Sequence, residues 1–289
     1  MKLPEEYNSG SGSEHDGYYI YSAKKEDYVK KTPVYLRIRN SWLFTFKSKS
    51  CKEPLCFADL TWAQMTMVQS QDEEGLSYGL DFVKGTRCAS VYHRNEEKIT
   101  ALFNYFCHYC VLKNFKEDFL LQEVTGEGKF GKVHAIMKRS DQRRFAAKVY
   151  LKEKIIAQAK KSERGGLMNE IGILRVLARN PCEYCISLRY LYEDHEKLYI
   201  ITDLCLGENM NVYYKKHLEE FSEMNCLRVL NSILKGLAHL DSLGIVHRDI
   251  KPSNWMIKDP RNPYHCVIVD FGFSYQFTEE ERNIGFCVT

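Results

Sequence analysis

Two short segments late in the chain combine residue types that suit phosphate chemistry. The first is His247-Arg248-Asp249-Ile250-Lys251-Pro252-Ser253-Asn254, and the second is Asp270-Phe271-Gly272. A carboxylate can accept a hydroxyl proton, a lysine can clamp a phosphate group, and an asparagine with a second carboxylate can bind magnesium. Phosphoryl transfer from ATP–Mg²⁺ requires these roles. The candidate catalytic and metal-binding residues are Asp249, Lys251, Asn254 and Asp270.

A glycine-rich stretch lies upstream between apolar flanks, Gly126-Glu127-Gly128-Lys129-Phe130-Gly131-Lys132-Val133. Glycines let the backbone approach phosphate groups closely, with its N–H groups pointing at them. The pattern alone is weak, because a dinucleotide-binding turn or an ordinary hairpin can also carry it. Two features favour a hairpin over ATP. The stretch joins two predicted strands, and Ala146-Ala147-Lys148 follows within a third apolar strand.

Lys148 needs an anionic partner, since a lysine in the middle of an apolar strand is costly without one. Glu170 is the candidate, because it borders the apolar face of a helix predicted at residues 167–177. Its carboxylate can therefore point inward toward Lys148. The alternative is an unrelated pair of surface charges.

Two further predicted elements fit a nucleotide site. Residues 198–204 are expected to form a buried strand that runs into a turn at Gly207. Residues 226–243 predict a helix, with Gly244 as its C-terminal stop. Asp249 then follows on a loop that a substrate can reach.

In this order and at these intervals, the segments resemble the eukaryotic protein kinase family across residues 119–289. The resemblance implies a β-rich small lobe, a helical large lobe and ATP bound between them with Mg²⁺. The residues that it places around the nucleotide and metal are Gly126, Gly128, Lys129, Phe130, Gly131, Val133, Ala146, Lys148, Glu170, Asp203, Cys205, Met256, Asn254 and Asp270.

The resemblance also distributes roles within that set. The glycine-rich loop would cover the phosphates, and Lys148 would hold the α- and β-phosphates with Glu170 positioning it. Around the adenine, Val133 and Ala146 would form the roof and Met256 the floor. The backbone groups of the hinge would come from Asp203 and Cys205, with Thr202 at the gatekeeper position. Asn209 departs from the family, in which an acidic residue often contacts the ribose.

The catalytic segment carries two further implications of the resemblance. Lys251, two residues after Asp249, resembles serine/threonine kinases, so the expected substrates are serine and threonine hydroxyls of proteins. Arg248 suggests regulation by phosphorylation of the activation loop. The candidate acceptors are Ser274, Tyr275 and Thr278, which are otherwise merely exposed loop hydroxyls.

The N-terminal part predicts a separate domain. Residues 1–17 lack apolar periodicity and are expected to form a disordered leader. Residues 18–113 predict strands at 18–22, 34–38, 43–47, 55–60, 78–83 and 87–92 and a helix at 96–112. Tyr35-Leu36-Arg37-Ile38 and Trp42-Leu43-Phe44-Thr45-Phe46 resemble the second and third strands of a pleckstrin-homology (PH) domain. The expected fold class is thus α+β and multidomain, a small β-barrel closed by a helix followed by a kinase-like fold.

Four lysines near the first two predicted strands suggest a role for this domain. PH domains that bind phosphoinositides carry basic residues here, and this chain offers Lys24, Lys25, Lys30 and Lys31. Clustered lysines are attracted to anionic membrane lipids. A solvated basic loop and a protein-docking surface are the two alternatives.

Composition excludes several other classes. The chain of 289 residues is 44% hydrophobic and 27% charged, as in ordinary globular proteins, and its net charge of +3 is too slight to predict a nucleic-acid partner. The start of the chain resembles no signal peptide. The expected location is cytoplasmic, with peripheral membrane attachment on stimulation, and the nucleus is also compatible. The eleven cysteines predict free thiols, with zinc binding as the alternative.

The final residues, Gly285-Phe286-Cys287-Val288-Thr289, resemble the segment that precedes the Ala-Pro-Glu motif of kinases. The resemblance therefore leads us to expect that the kinase domain is truncated, with about a hundred further residues in a complete large lobe. The helix at 226–243 would then expose apolar side chains, which are Leu230, Ile233, Leu234 and Leu237. The alternative function is a short, catalytically inactive adaptor that docks on membrane or protein and binds nucleotide without turnover.

Overall fold

A computed structural model of the chain describes residues 15–25, 28–72, 75–128, 131–159, 166–277 and 281. These residues form two compact units. The first contains the described residues up to Lys113 together with Leu191–Glu193, and the second runs from Asn114 to Tyr190 and continues from Asp194. Among the helices within these ranges, none has the length and apolar character needed to cross a membrane.

Within the described residues, most of the first unit is an antiparallel meander of seven strands. The strands are β1 (His15–Lys25), β2 (Tyr28–Arg39), β3 (Trp42–Phe46), β4 (Cys56–Asp59), β5 (Gln64–Asp72), β6 (Gly75–Lys84) and β7 (Arg87–His93). They are ordered β4-β3-β2-β1-β7-β6-β5, and a short parallel strand, β8 (Val111–Leu112), follows β5. The expected closed barrel is wrong: among the described residues β4 and β5 make no ladder with each other, so the sheet stays open there.

One helix, α1 (Glu96–Phe106), follows the meander. Asn95 caps its start by accepting a hydrogen bond from the Lys98 N–H at 3.2 Å. Ile99, Leu102 and Phe106 recur at helical spacing and are buried. The helix ends at Phe106 rather than residue 112, because Val111 and Leu112 are extended and pair with β5.

The second unit begins with a β-rich part. Its strands are β9 (Phe119–Gly128), β10 (Gly131–Lys138), β11 (Arg144–Leu151) and β13 (Lys197–Asp203), together with the first residues, up to Tyr190, of β12 (Leu188–Glu193). The strand order is β12-β13-β11-β10-β9. The α-helices that accompany them in the described part of the chain are α2 (Phe115–Asp118), α3 (Lys152–Ala159) and α4 (Leu167–Arg179). This part has the character expected of the small lobe of a kinase.

The remaining part of the second unit is built around a long helix. Its elements are α5 (Met210–Lys216), α6 (Glu223–Ser242), the paired strands β14 (Ile245–Val246) and β17 (Tyr275–Gln276), and the hairpin of β15 (Trp255–Asp259) and β16 (Asn262–Ile268). Ser222 caps α6, and Gly244 adopts φ 70° just beyond its end, where a glycine is favoured.

Helix α6 packs closely against the hairpin. A side-chain carbon at Gly236 would lie 2.8 Å from Ile268 Cδ1, so the glycine permits this approach. Ile233 is buried and Leu237 is half-buried, contrary to the expected exposed face, while Leu230 and Leu234 are exposed. The packing fixes the hairpin, from which the residues preceding Asp270 continue.

Candidate active site

The glycine-rich hairpin is formed by β9 and β10. Gly131 pairs with Gly128, and Val133 pairs with Gly126. A side-chain carbon at Gly131 would lie only 2.0 Å from the Val149 carbonyl oxygen of β11. Glycine is therefore required at this position, whereas Gly126 has only an ordinary contact at 3.9 Å. Lys129 and Phe130 lie outside the described residues.

Lys148 lies on β11 directly opposite Val133 of β10. Its Nζ atom is 2.8 Å from Glu170 Oε1 and 3.2 Å from Asp270 Oδ1. Glu170 is only 4% exposed and belongs to the first turn of α4. Burial favours a neutral amine, yet the nearby charge of Glu170 outweighs it, and the pKa of Lys148 is raised above its ordinary value. The lysine is thus a cation held between two carboxylates.

Tyr150 makes a contact with Glu170 that is not among the predicted ones. Its hydroxyl donates a hydrogen bond of 2.7 Å to Glu170 Oε2. Burial and the adjacent Glu170 carboxylate raise the pKa of this phenol, so it remains protonated and able to donate. A signal was present, because Tyr150 follows Lys148 by two residues and side chains at that spacing share one face of a strand.

The segment after α6 assembles around Asp249. The Asp249 carboxylate lies 2.8 Å from Lys251 Nζ and accepts a hydrogen bond of 2.9 Å from Asn254 Nδ2. The same amide nitrogen also donates to the Asp249 carbonyl oxygen at 2.8 Å. The hydrogen bond from Lys251, joined by that from Asn254, lowers the pKa of Asp249. The carboxyl group is therefore ionised and orientated at neutral pH.

His247 joins this loop to the residues before Asp270. Its Nε2 donates to the Val269 carbonyl at 3.0 Å, and its Nδ1 accepts from the Asp249 N–H at 3.2 Å. Its ring lies 5.0 Å from the Phe271 ring. Burial lowers the pKa of His247, so the imidazole is neutral, as the accepting Nδ1 requires.

Asp270 and Asn254 come from neighbouring loops. The Val269 N–H donates to the Asn254 carbonyl at 3.0 Å, which brings the two loops together. Asp270 adopts a left-handed backbone conformation, φ 63° and ψ 75°, and one of its carboxylate oxygens faces Lys148. Both residues offer oxygen ligands, which is the donor type that Mg²⁺ prefers.

The predicted hinge residues lie at the end of β13, which pairs with β11, and just beyond it. The Asp203 carboxylate accepts two hydrogen bonds from Arg189, at 2.8 and 2.6 Å, so its side chain is already engaged. Burial raises the pKa of the Cys205 thiol to about 11, and it stays protonated. Ala146 pairs with Thr202 at this edge of the sheet.

Asn209 and Met256 are connected by a backbone bridge. The Asn209 side chain caps α5 by accepting a hydrogen bond from the Val212 N–H at 3.1 Å. The residue that replaces the expected acidic ribose contact therefore has a local structural role.

The candidate phosphate acceptors differ in their environments. Ser274 is fully buried and its hydroxyl donates to the His247 carbonyl at 3.2 Å, so it is neither an exposed hydroxyl nor an accessible acceptor here. The Tyr275 hydroxyl donates to Glu281 at 2.8 Å. Thr278 lies outside the described residues.

Comparison with known proteins identifies the family. The family model described as a protein kinase domain matches residues 119–289. Protein kinase 2 of Dictyostelium discoideum is 31% identical over 174 residues, which are 60% of this chain and 34% of that protein. The serine/threonine-protein kinase AtPK2/AtPK19 of Arabidopsis thaliana is 29% identical over 178 residues, 60% of this chain and 35% of that protein.

A human serine/threonine-protein kinase is similar to this chain to the same extent. The serine/threonine-protein kinase Sgk2 of Homo sapiens is 31% identical over 173 residues, which cover 60% of this chain and 45% of that protein. The chain thus spans between a third and a half of the length of these curated relatives. Because the family model covers more than half of the chain and coincides with the site around Lys148 and Asp249, the chain belongs to the protein kinase domain family.

Proposed function

We propose that residues 119–289 are part of a protein serine/threonine kinase, which transfers the γ-phosphoryl group of ATP to serine or threonine hydroxyls of proteins. The observation that carries this proposal is the position of Lys148, which contacts Glu170 at 2.8 Å and Asp270 at 3.2 Å. These contacts support a role for the Lys148 cation in binding ATP phosphates next to Asp270, the candidate metal ligand.

We assign the nucleotide-binding residues the roles that the kinase family implies for them. Lys148 holds the α- and β-phosphates, with Glu170 fixing its Nζ atom. The hairpin containing Gly126, Gly128 and Gly131 covers the phosphates, and Val133, Ala146 and Met256 enclose the adenine. Backbone groups of Asp203 and Cys205 bind its edge, as in other kinases.

The catalytic roles belong to the Asp249 cluster. Asp249 accepts or orientates the proton of the substrate hydroxyl, because its carboxylate is ionised and fixed by Asn254. Lys251 steadies the γ-phosphate. Asn254 and Asp270 would hold Mg²⁺, which when bound neutralises phosphate charge. The lysine two residues after Asp249 and the serine/threonine kinases among the relatives support a serine or threonine acceptor.

Phosphoryl transfer tests this function. A protein containing residues 1–289 should phosphorylate serine or threonine in a mixed peptide library with ATP–Mg²⁺, and Asp249→Asn should reduce the rate at least about a hundredfold. Exposed Asp241 provides the matched control, Asp241→Asn, which should leave the rate unchanged. Equal rates in wild type and Asp249→Asn would reject the assignment. Absent transfer with retained ATP binding would favour an inactive adaptor.

The first unit is proposed to be a PH-like domain that binds anionic membrane lipids. Support comes from its seven antiparallel strands followed by α1, an order typical of that family. The β1–β2 hairpin carries two lysines on each strand: Lys24 is opposite Val29, and Lys31 is opposite Ser22. The four lysines thus occupy register positions near the turn between β1 and β2, and clustered lysines are attracted to anionic lipids.

Vesicle sedimentation tests this lipid binding. We expect binding to vesicles containing phosphatidylserine and phosphoinositide, with a loss of about 1 kcal/mol per lysine when Lys24, Lys25, Lys30 and Lys31 are replaced by Gln. The control replaces four exposed lysines elsewhere, Lys113, Lys116, Lys154 and Lys215. Equal losses in both variants, or equal binding to neutral vesicles, would contradict a lipid site on the hairpin. Binding of a protein partner that depends on the same four lysines would instead indicate protein docking.

A further inference from the structure

Tyr150 and Lys148 reach the same carboxylate from one strand. Lys148 Nζ lies 2.8 Å from Glu170 Oε1, and the Tyr150 hydroxyl donates to Glu170 Oε2 at 2.7 Å. Tyr150 is 2% exposed and Glu170 is 4% exposed, so water does not replace either contact. Each oxygen of the carboxylate thus has its own donor on β11.

The second hydrogen-bond donor restricts rotation of the Glu170 carboxylate. The terminal torsion of a glutamate is broad, so one contact leaves the plane of the carboxylate free to rotate. Two donors on opposite oxygens fix that plane. Without the phenol, Oε2 would be a buried, charged acceptor lacking this bond, which is costly and would favour outward movement of the side chain.

The start of α4 depends on such contacts. The residue before the helix, Gly166, provides no side-chain cap, and Glu170 belongs to the first turn. On the same turn, Asn169 Nδ2 donates to the Ser274 carbonyl after the Asp270 loop. The first turn is therefore held from β11 through Glu170 and from the loop through Asn169.

We propose that Tyr150 is a positioning residue of the ATP site, which holds the Glu170 carboxylate where it can orientate Lys148 toward the phosphates. The inference rests on the proposed function, because Lys148 is taken to bind ATP. Tyr150 itself contacts neither the phosphates nor the metal ligands in this scheme. The Tyr150 ring also lies 5.5 Å from Lys148 Nζ, but the hydroxyl group acts on Lys148 through Glu170.

The test removes only the hydroxyl group. Tyr150→Phe in the 289-residue chain should weaken ATP–Mg²⁺ binding about tenfold, which corresponds to about 1.4 kcal/mol. The matched control is Tyr199→Phe. Tyr199 lies on the adjacent strand β13, is also 2% exposed and donates to the Asp194 carboxylate at the same distance of 2.7 Å. Its loss should leave ATP binding within about twofold.

A double-mutant cycle separates positioning from general destabilisation. In the Glu170→Ala background, Tyr150→Phe should change ATP affinity less than about twofold, because the carboxylate through which it acts is gone. Urea unfolding of the same four proteins should show a matching coupling between positions 150 and 170. Equal losses in both backgrounds, or equal losses in Tyr150→Phe and Tyr199→Phe, would overturn the role of Tyr150.

Different results would overturn the role of Tyr150 and the proposed kinase function. Wild-type binding of ATP with undiminished binding by Tyr150→Phe would overturn the inference and leave the proposed function intact. Failure of the folded wild-type chain to bind ATP–Mg²⁺ would overturn both.

Discussion

The hydrogen bonds of His247 depend on the protonation state of its imidazole ring. Both ring nitrogens are used, with Nε2 donating to Val269 and Nδ1 accepting from Asp249. Protonation of Nδ1 would replace that acceptor by a second donor and break the contact with the Asp249 N–H. The neutral ring is thus part of the geometry that presents the candidate catalytic carboxylate.

This predicts a dependence of stability on pH. Burial lowers the pKa of His247 in the folded state, so below the unfolded value of about 6.5 the unfolded chain binds more protons. Its contribution to stability should be fully present above that pH and fall as the pH drops through it. Urea unfolding between pH 5 and pH 8 measures the effect, and His247→Asn should show a weaker dependence over this range. The pKa of His93 in the first unit is also lowered, so the difference between the two proteins isolates His247.

An identical pH dependence in wild type and His247→Asn would contradict this account. Titration of Asp249 does not affect the comparison of wild type with His247→Asn between pH 5 and pH 8. The pKa of its carboxyl is lowered, so its contribution is lost only as the pH falls below the ordinary aspartate value of about 3.9.

At the scale of elements, the glycine-rich hairpin depends on one close approach between strands. A side-chain carbon at Gly131 would meet the Val149 carbonyl at 2.0 Å, and backbone cannot yield as a flexible side chain can. We predict that Gly131→Ala lowers the free energy of unfolding by about 1–3 kcal/mol, because β10 must move away from β11.

The matched control for Gly131→Ala is Gly126→Ala, in which the nearest atom is Val133 Cβ at 3.9 Å. It should cost less than about 1 kcal/mol. Chemical denaturation of both variants provides the measurement. If both variants lose a similar free energy of unfolding, the close approach of β10 and β11 is not the reason for a glycine at position 131.

The elements also show why some structure could be predicted from the sequence and some could not. The α6 helix was predictable because its apolar period and the stop at Gly244 are local signals. Strand β5 was missed, since its inward face is not uniformly apolar: Met65 is buried while Met67, two residues on, is exposed. Its Met and Gln residues also favour helices.

Longer-range features of the fold lie beyond local patterns. The end of α1 was misplaced because the apolar residues Val111 and Leu112 continue its period while pairing with β5 instead. Strands β4 and β5 are close in sequence, yet within the described residues they lie at opposite ends of the meander and do not pair. Local patterns do not encode this order of the strands, so the open sheet could not be deduced. In the site, the ion pair of Lys148 and Glu170 could be predicted, because an unpaired charge in an apolar strand is costly. The hydrogen bond from Tyr150 to Glu170 was not predicted, because it depends on how the Glu170 carboxylate is orientated.

At the scale of the whole molecule, the kinase family accounts for residues 119–289, and the first unit adds a proposed lipid-binding module. The two proposed functions depend on different residues. ATP binding should depend on the carboxylates around Lys148, and vesicle binding on the lysines of the β1–β2 hairpin. We therefore predict that substitutions in either set leave the other activity unchanged, as measured by parallel nucleotide titration and vesicle sedimentation.

Titration of the 289-residue chain with ATP, with and without Mg²⁺, measures whether the residues around Lys148 form an ATP site. We expect Mg²⁺-dependent binding that falls at least about tenfold in Lys148→Ala but stays within about twofold in the control Lys154→Ala, an exposed lysine of α3. Equal binding by wild type and Lys148→Ala, or no binding by the folded wild-type chain, would rule out this ATP site.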